Sequence, residues 1–270
     1  MPRKETDNKV AKLRNLLQEM ESVLIGFSGG TDSSYLLAVA RDVLGDNARA
    51  AIATGPIYPA YEVDQARRFA DALGVELIEK NNEAVDGELF SSNPPDRCYH
   101  CKLWVFGALR EIADSLDLAW VADGSNLDDL GDYRPGQRAL TELAIRSPLL
   151  EAGFAKADVR AESKKLGLPS WDTPSRACLA SRFPYGTQIT AKRLAQVERA
   201  EDALYDLGFT QFRVRYHGDV ARIEVGADEI DRFLSEQTRD KVYAAIKAAG
   251  FAYVALDLRG YRTGSLNETL

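Results

Sequence analysis

A run of small polar residues joins a predicted buried strand to a predicted helix near the start of the chain. The run is Ser28-Gly-Gly-Thr-Asp-Ser33, and it directly follows the apolar segment 22–27. Glycines let the backbone approach an anion closely, and the first amides of a helix bind one. The run therefore predicts a phosphate-binding loop, although it lacks the lysine of a Walker A motif. The alternative is a plain Gly-Gly turn in which Asp32 caps the helix.

The residues expected to hold a nucleotide extend beyond this loop. Ser28 and Ser33 add hydroxyl donors, and Asp32 can bind a hydrated magnesium ion beside a pyrophosphate. In a parallel sheet, ligands bind beyond the carboxyl ends of the strands, where loops beginning at Ser28, Thr54 and Gly124 should converge. The segment after Gly124 also reads as an ordinary strand-end turn. The predicted nucleotide-binding residues are Ser28, Gly29, Gly30, Asp32, Ser33, Thr54, Gly124 and Asn126.

Three cysteines are the other residues that carry chemistry. Cys98-Tyr-His-Cys101 lies in a turn-prone stretch predicted to form a hairpin, and Cys178 is the only further thiol. The CxxC spacing lets both sulfurs reach one metal. Three thiolates can hold a 4Fe–4S cluster and leave its fourth iron open to a hydrosulfide. The predicted metal ligands are Cys98, Cys101, Cys178 and, for magnesium, Asp32.

Other interpretations of the cysteines stay open at this point. His217 could complete a Cys3His zinc site that only staples the structure. Cys98 and Cys101 could form a redox-active pair. Cys178 could be a small buried apolar residue.

The hydrophobic pattern shows which elements must position these residues. Strands alternating with helices predict right-handed βαβ units and a mostly parallel, Rossmann-like α/β sheet with helices on both faces. The predicted elements are a helix over 6–20, strand 22–27, a helix from 32 to 44, strand 49–54, helix 61–73, strand 75–80, helix 102–115 and strand 119–123.

The pattern changes after Pro184. It predicts a helix over 190–207, strands over 211–216 and 220–225, a helix over 227–249 and a last strand over 252–258. This order indicates a smaller C-terminal α+β domain, so that the predicted domains are 1–184 and 185–270.

Composition limits the classes of protein. The 270 residues are 45% hydrophobic with a formal net charge of −7, as expected for a globular protein. No secretory signal or membrane-spanning run is found, and three cysteines suit a reducing cytoplasm. The acidic balance argues against a nucleic-acid partner.

The string SGGTDSS resembles the pyrophosphate loop of the PP-loop ATPases. Together with DGSNLDDLGDYRPGQRAL, ELAIRSPL, PSRACLASRFPYGTQIT and VRYHGDVARIEV, it makes nearly the whole chain similar to the LarE family. The resemblance implies a PP-loop ATP pyrophosphatase domain followed by a domain for substrate binding and oligomerisation. It also implies an ATP-dependent sulfurtransferase that converts both carboxylates of pyridinium-3,5-biscarboxylic acid mononucleotide to thiocarboxylates, for nickel-pincer cofactor biosynthesis.

Further expectations follow from this resemblance. In some members, the cysteine matching Cys178 gives up its own sulfur. Members with cysteines matching Cys98 and Cys101 are thought to carry a 4Fe–4S cluster, so this chain looks like the cluster type, supplied by sulfide or a sulfur donor. A homohexamer is also implied. Adenylation makes a carboxylate electrophilic, and Lys102 or Arg182 could then stabilise the tetrahedral intermediate, beside Cys178 as the third catalytic residue.

Such a substrate carries one phosphate and two carboxylates, so its pocket needs cations. Arg213 and Arg215 alternate along a predicted strand and so share one face. The alternative is a solvated face paired with nearby carboxylates, of which two could also bind a metal. The predicted substrate-binding residues are Glu201, Arg213, Arg215, Arg222 and Asp231.

Two other functions compete with the sulfurtransferase. A PP-loop tRNA thiolase also combines this loop with a CxxC, but it should show a basic RNA-binding stripe. A zinc-stapled nucleotide-binding protein without turnover would use the same cysteines for structure alone.

Overall fold

The computed structural model describes residues 2–131, 135–174 and 177–262. Their chain folds as two compact units. The first contains the described residues of 1–85 and 96–175, and the second those of 86–95 and 176–270.

The helices are α1 (Pro2–Met20), α2 (Thr31–Leu44), α3 (Ala60–Ala72), α4 (Glu88–Ser91), α5 (Arg97–Ser115), α6 (Gly136–Glu142), α7 (Pro148–Ala152), α8 (Lys156–Lys165), α9 (Ala191–Asp206) and α10 (Glu236–Ala248). The strands are β1 (Val23–Gly26), β2 (Ala48–Thr54), β3 (Leu77–Asn81), β4 (Trp120–Ala122), β5 (Phe212–His217), β6 (Val220–Val225) and β7 (Tyr253–Leu256).

The sheet of the first unit confirms the predicted α/β class. Its strand order is β3-β2-β1-β4, and every pair is parallel. Because β1 lies between two strands and two helical layers, both faces are buried. Ile25 packs into the core cluster that includes α1, α2 and α3, whereas Leu24 packs into the cluster that includes α5. This burial on both sides explains why the strand reads as an unbroken apolar run.

The second unit is the smaller α+β body. Strands β5 and β6 pair antiparallel, and β7 adds parallel to β6. Helix α9 contacts β5 and α10, and α10 contacts β7. Val214 lies opposite Ile223, and both are buried. The register also places Arg213 opposite Glu224, so that charged residues share the other face, as the alternation predicts.

The second unit differs from the predicted C-terminal domain at its start. It includes residues 86–95 and begins before Pro184. The reason is a set of hydrogen bonds: Asn93 Nδ2 donates to the carbonyls of Phe183 and Pro184, and the Ile189 amide donates to the Ser91 carbonyl at 2.8 Å. A segment so far away in sequence leaves no local signal of this attachment.

The predicted helix over 227–249 is also interrupted. A short 3-10 helix spans Ile230–Leu234, and α10 begins afresh at Glu236. The Ser235 side chain accepts a hydrogen bond from the Thr238 amide, so a serine caps the new helix. Among the described helices, none combines the length and apolar character needed to cross a membrane.

Candidate functional site

The loop between β1 and α2 is built as an anion cradle. Gly29 has φ +69°, a left-handed conformation that favours glycine. The Ser28 and Ser33 hydroxyls lie 3.1 Å apart, and the Ser28 amide donates to Ser33 Oγ. No side chain caps α2 at Gly30, so its first-turn amides are left without that kind of partner in the described chain. A phosphate group is the ligand that such amides bind.

Asp32 lies in the first turn of α2 and pairs with a lysine from another helix. Its Oδ2 accepts from Nζ of Lys156, the first residue of α8. Its Oδ1 is buried and has no hydrogen-bond partner among the described residues. The backbone amide of Lys156 in turn donates to Asp128 Oδ2 at 2.5 Å. One carboxylate oxygen is thus neutralised and the other is left for a cation.

The second predicted motif lies directly against this loop. A Cβ on Gly124 would be 3.0 Å from the Ser33 backbone nitrogen, so a larger residue would require the two segments to move apart. Asn126 is buried, and its Oδ1 accepts from the Asp128 amide. The structure therefore brings Gly124 to the phosphate loop, while Asn126 supports the turn that follows. Thr54 ends the neighbouring strand β2, as predicted.

Lys102 extends from α5 toward the carboxyl end of β4. Its Nζ lies 4.0 Å from Asp123 Oδ2. Asp123 also accepts from the hydroxyls of Ser125, at 2.5 Å, and Ser147, at 2.6 Å. Lys102 is thus near the residues beside Gly124, and its predicted catalytic role stays a prediction.

The prediction that Cys98 and Cys101 lie in a hairpin is wrong. Both belong to the first turn of α5, which begins at Arg97, five residues earlier than predicted. Residues three apart on a helix lie on the same face, so both thiols remain directed to one side. The Pro-Pro pair before Arg97 suggested a longer irregular stretch than the chain forms.

The surroundings of the two thiols favour an anionic ligand group. Asn82, which is fully buried, donates from Nδ2 to Cys101 Sγ at 3.4 Å. The Arg97 guanidinium donates to Cys98 Sγ at 3.8 Å. Such donors stabilise a thiolate or a thiolate-bound metal.

Cys178 belongs to the second unit, where it precedes a 3-10 helix at Leu179–Arg182. It is partly exposed. Within the described parts of the chain, no three residues of the types Cys, His, Asp and Glu gather as a possible metal site. That the three cysteines bind one metal cluster thus stays a prediction.

Arg182 is almost completely buried, with 1% of its surface exposed. Its Nε and one terminal nitrogen donate to both oxygens of Glu201, at 2.8 and 2.7 Å. The other terminal nitrogen donates to the carbonyls of Ala177 and Cys178, at 2.6 and 3.1 Å. All three guanidinium nitrogens are therefore engaged inside the second unit.

The remaining predicted substrate residues differ in their surroundings. Arg215 pairs with buried Glu224, which also accepts from Arg222. Burial lowers the pKa of Arg213, and the positive charge of Arg182 lowers it further. Three carboxylates, Glu201, Glu224 and Asp257, thus pair with arginines here, and Arg213 adds a further positive charge, which favours an anion.

Two predicted residues lie at the margin of this arginine-rich face. Asp231 is exposed in a 3-10 turn. His217 is exposed at the end of β5, where partial desolvation, followed by repulsion from Arg222 and Arg215, lowers its pKa. The substrate-binding role of Asp231 and the alternative zinc-binding role of His217 stay predictions.

Some residues of the site were missed in the sequence. Lys156 is separated from Asp32 by 124 positions. Asn82 and Asp123 directly follow strands β3 and β4, and Asp123 opens the string DGSNLDDLGDYRPGQRAL, yet neither was predicted as a site residue. A usable signal existed for the last two, because polar residues directly after buried strands face the ligand edge of a parallel sheet. Lys156 carried no comparable signal.

Some known proteins are similar to nearly the whole of this chain, and others are similar to only a part of it. The family model for NAD synthase matches residues 6–91. A pyridinium-3,5-bisthiocarboxylic acid mononucleotide synthase of Lactiplantibacillus plantarum is 40% identical over 97% of this chain and 95% of its own length. An uncharacterized protein of Synechocystis sp. is 42% identical over 98% of both chains. A glutamine-hydrolysing GMP synthase of Chlamydia caviae is 27% identical over 70% of this chain and 39% of its own length.

These similarities agree with the geometry of the first unit. The NAD synthase match includes β1, the phosphate loop and α2. The Lactiplantibacillus plantarum relative covers nearly the whole of both units at 40% identity. The chain therefore belongs to the LarE family of PP-loop ATPases.

Proposed function

We propose that this enzyme adenylates the carboxylates of pyridinium-3,5-biscarboxylic acid mononucleotide and converts them to thiocarboxylates for nickel-pincer cofactor biosynthesis. A carboxylate oxygen attacks the α phosphorus of ATP, and the bond to the β phosphate breaks, so that pyrophosphate leaves. A sulfur nucleophile then attacks the acyl carbon, and AMP departs with the former carboxylate oxygen. Each carboxylate consumes one ATP.

One observation carries the proposal: the serine and glycine cradle at the uncapped start of α2, with Gly124 packed against it. This geometry suits the β and γ phosphates that leave together as pyrophosphate. The name of the Lactiplantibacillus plantarum relative supports the identity of the acyl substrate.

The chain's residues fit a magnesium ion beside the pyrophosphate. Asp32 Oδ1 is buried without a hydrogen-bond partner in the described chain, and a hard cation is the ligand that such an oxygen suits. When bound, magnesium would offset the negative charge of the leaving group. Lys156, which neutralises Oδ2 of Asp32, is close enough to this region to add a second positive charge.

We also propose that Cys98, Cys101 and Cys178 hold a 4Fe–4S cluster. The hydrogen-bond donors beside the first two thiols fit an anionic cluster. When bound, the cluster would supply a sulfide, received from a sulfur donor. The rival proposal is sacrifice of the Cys178 sulfur itself.

The arginine-rich face of the second unit is our candidate for the substrate's anionic groups. Arg213 and Arg222 lie on it, and their guanidinium groups can grip phosphate or carboxylate in pairs of hydrogen bonds. Asp231, near the margin, is a candidate for contacts with the rest of the nucleotide.

Mass spectrometry after turnover tests the proposed sulfur source. The protein is reconstituted anaerobically with iron and sulfide and given ATP and the biscarboxylic acid mononucleotide. An unchanged chain with repeated formation of thiocarboxylate, AMP and pyrophosphate supports the cluster. A loss from Cys178 equal to the mass of hydrogen sulfide would instead establish sacrifice, and absence of pyrophosphate release would overturn the proposed activity.

Cys98→Ala should abolish the visible iron–sulfur absorbance of the reconstituted protein, because two thiolates do not hold the cluster as three do. The matched control is His100→Ala, which changes the same helical turn and leaves all three sulfurs in place. If Cys98→Ala keeps the full absorbance, this cysteine is not a ligand.

A further inference from the structure

Two buried arginine–glutamate pairs lie beneath the loop that carries Cys178. Arg182 pairs with Glu201 of α9, and Arg215 of β5 pairs with Glu224 of β6. All four residues belong to the second unit and are at most 6% exposed. From the sequence, Arg182 was predicted to act in catalysis and Arg215 in substrate binding.

Arg182 of the first pair directly follows the loop in sequence and donates hydrogen bonds back to it. While Nε and one terminal nitrogen of Arg182 hold Glu201, the other terminal nitrogen donates to the carbonyls of Ala177 and Cys178. It also lies 3.0 Å from the hydroxyl of Ser181. A single guanidinium thus holds the two peptide groups that flank the Cα atom of Cys178.

The second pair holds the same loop three residues further on. One terminal nitrogen of Arg215 donates to the Ser181 carbonyl at 2.9 Å, and the other donates to Glu224 at 2.7 Å. Glu201 also accepts from the Val214 amide at 2.9 Å, and this contact joins the first pair to strand β5. Both pairs are therefore anchored on the same small sheet.

Stability alone gives a weak reason for such pairs. Removing two charges from water is costly, and apolar residues of similar volume often stabilise a protein as well. A guanidinium offers something that an apolar side chain lacks: several donors in a fixed plane, which can hold a carboxylate and backbone carbonyls together. In both pairs, a terminal nitrogen that the glutamate does not use donates to the loop.

We infer that Arg182 and Arg215 are positioning residues, which fix the backbone of 177–181 and hence the place of the Cys178 sulfur. Glu201 and Glu224 orient the two guanidinium groups. The inference deepens the proposed function, because it rests on a role for Cys178 in sulfur delivery. It keeps Arg213 and Arg222 as the candidates for the substrate's anionic groups, with Arg222 also paired with Glu224 and Asp257.

Alkylation of the metal-free protein by iodoacetamide at one fixed pH tests this inference without any turnover. The rate is measured separately for each cysteine peptide by mass spectrometry. Arg182→Lys keeps a positive charge for Glu201 but has one nitrogen, which cannot also hold two carbonyls. We expect Cys178 to react roughly tenfold faster as the loop opens locally, while Cys98 and Cys101 keep their rates.

Arg232→Lys is the matched control within the same unit. Arg232 also pairs with a glutamate, Glu229, and donates to two backbone carbonyls, those of Leu207 and Gly208. Its replacement should leave the Cys178 rate unchanged. Equal acceleration of all three cysteines in Arg182→Lys would indicate general destabilisation and overturn the inference, as would an unchanged Cys178 rate.

The double variant Arg182→Met/Glu201→Leu separates positioning from folding. It removes both buried charges together, so we expect a folded protein by circular dichroism, with Cys178 still alkylated faster than in the parent. In turnover, kcat should fall while KM for ATP stays unchanged, because the phosphate loop is in the other unit. Slow alkylation and normal kcat in this folded variant would refute the inference. Failure of Cys178→Ser to impair turnover would refute the proposed role of Cys178 instead.

Discussion

Asp32 and Lys156 show how a single ion pair can prepare a nucleotide site. The lysine occupies one carboxylate oxygen and leaves the other buried and unpartnered among the described residues. The same lysine is tied by its backbone amide to Asp128, in the turn that follows the second motif. It therefore connects the two predicted nucleotide motifs, and we expect it to provide the positive charge that a Walker A lysine provides elsewhere.

Lys156→Ala should lower kcat/KM for ATP by roughly tenfold or more, because a charged hydrogen bond to phosphate contributes about 1.5–3 kcal/mol. Pyrophosphate release at varied ATP concentration measures this effect. Lys165→Ala is the control, since it removes a half-exposed lysine at the other end of α8 that pairs with Glu162 and not with Asp32. Equal rates for the parent and Lys156→Ala would show that this lysine does not serve the nucleotide.

At the scale of elements, the end of β4 and the start of α2 meet through Gly124. A methyl group there would press on the Ser33 backbone nitrogen, which cannot rotate away as a side chain does. Gly124→Ala should therefore lower the free energy of unfolding by about 1–3 kcal/mol and raise KM for ATP. Denaturant unfolding and pyrophosphate release are the measurements.

Gly107→Ala is the matched control for Gly124→Ala. Gly107 lies inside α5, and a Cβ there would meet no atom within 4 Å. Because alanine favours a helix over glycine, this change should stabilise the protein by about 0.5–1 kcal/mol. A Gly124→Ala protein as stable as Gly107→Ala would contradict the close packing of the two motifs.

Helix α9 carries a carboxyl whose ionisation opposes folding. Burial raises the pKa of Asp202 from 3.8 to about 6, and Glu198 and Asp206 repel its charge further. Between these values, the folded protein binds more protons than the unfolded chain, so the free energy of unfolding falls as the pH rises from 4 to 6.

Asp202→Asn should accordingly stabilise the protein at pH 7 by about 1 kcal/mol after solvent screening, and the gain should vanish near pH 4. Urea unfolding at both pH values measures it. Asp240→Asn, at an exposed position of α10, serves as the control. A gain that persists unchanged at pH 4 would assign the effect to something other than this ionisation.

At the scale of the whole molecule, the two units differ in which known proteins they resemble. The family model of NAD synthase matches only residues 6–91, which fall almost entirely within the first unit. The Lactiplantibacillus plantarum relative matches across both. The second unit, with Cys178 and the arginine-rich face, is thus where we expect specificity for the acyl substrate. The predicted hexamer and cytoplasmic location stay predictions.

Much of the first unit was predictable because its signals are local. The apolar run of β1 and the glycines of the phosphate loop lie within a dozen consecutive residues, and together they indicate a strand-to-helix junction. Residues 97–101 were harder, since the prolines before them indicate a break but do not say where the next helix begins.

By itself, the sequence determined the parallel sheet, the phosphate loop and the shared face of Arg213 and Arg215, because periodicity and turn chemistry act between near neighbours. Only the tertiary structure decided that Lys156 reaches Asp32, and that Arg182 holds Glu201 and the Cys178 backbone. A guanidinium can bind a ligand or a carboxylate equally well. Its partner is set by which distant segments the packed helices and strands bring within about 3 Å of it.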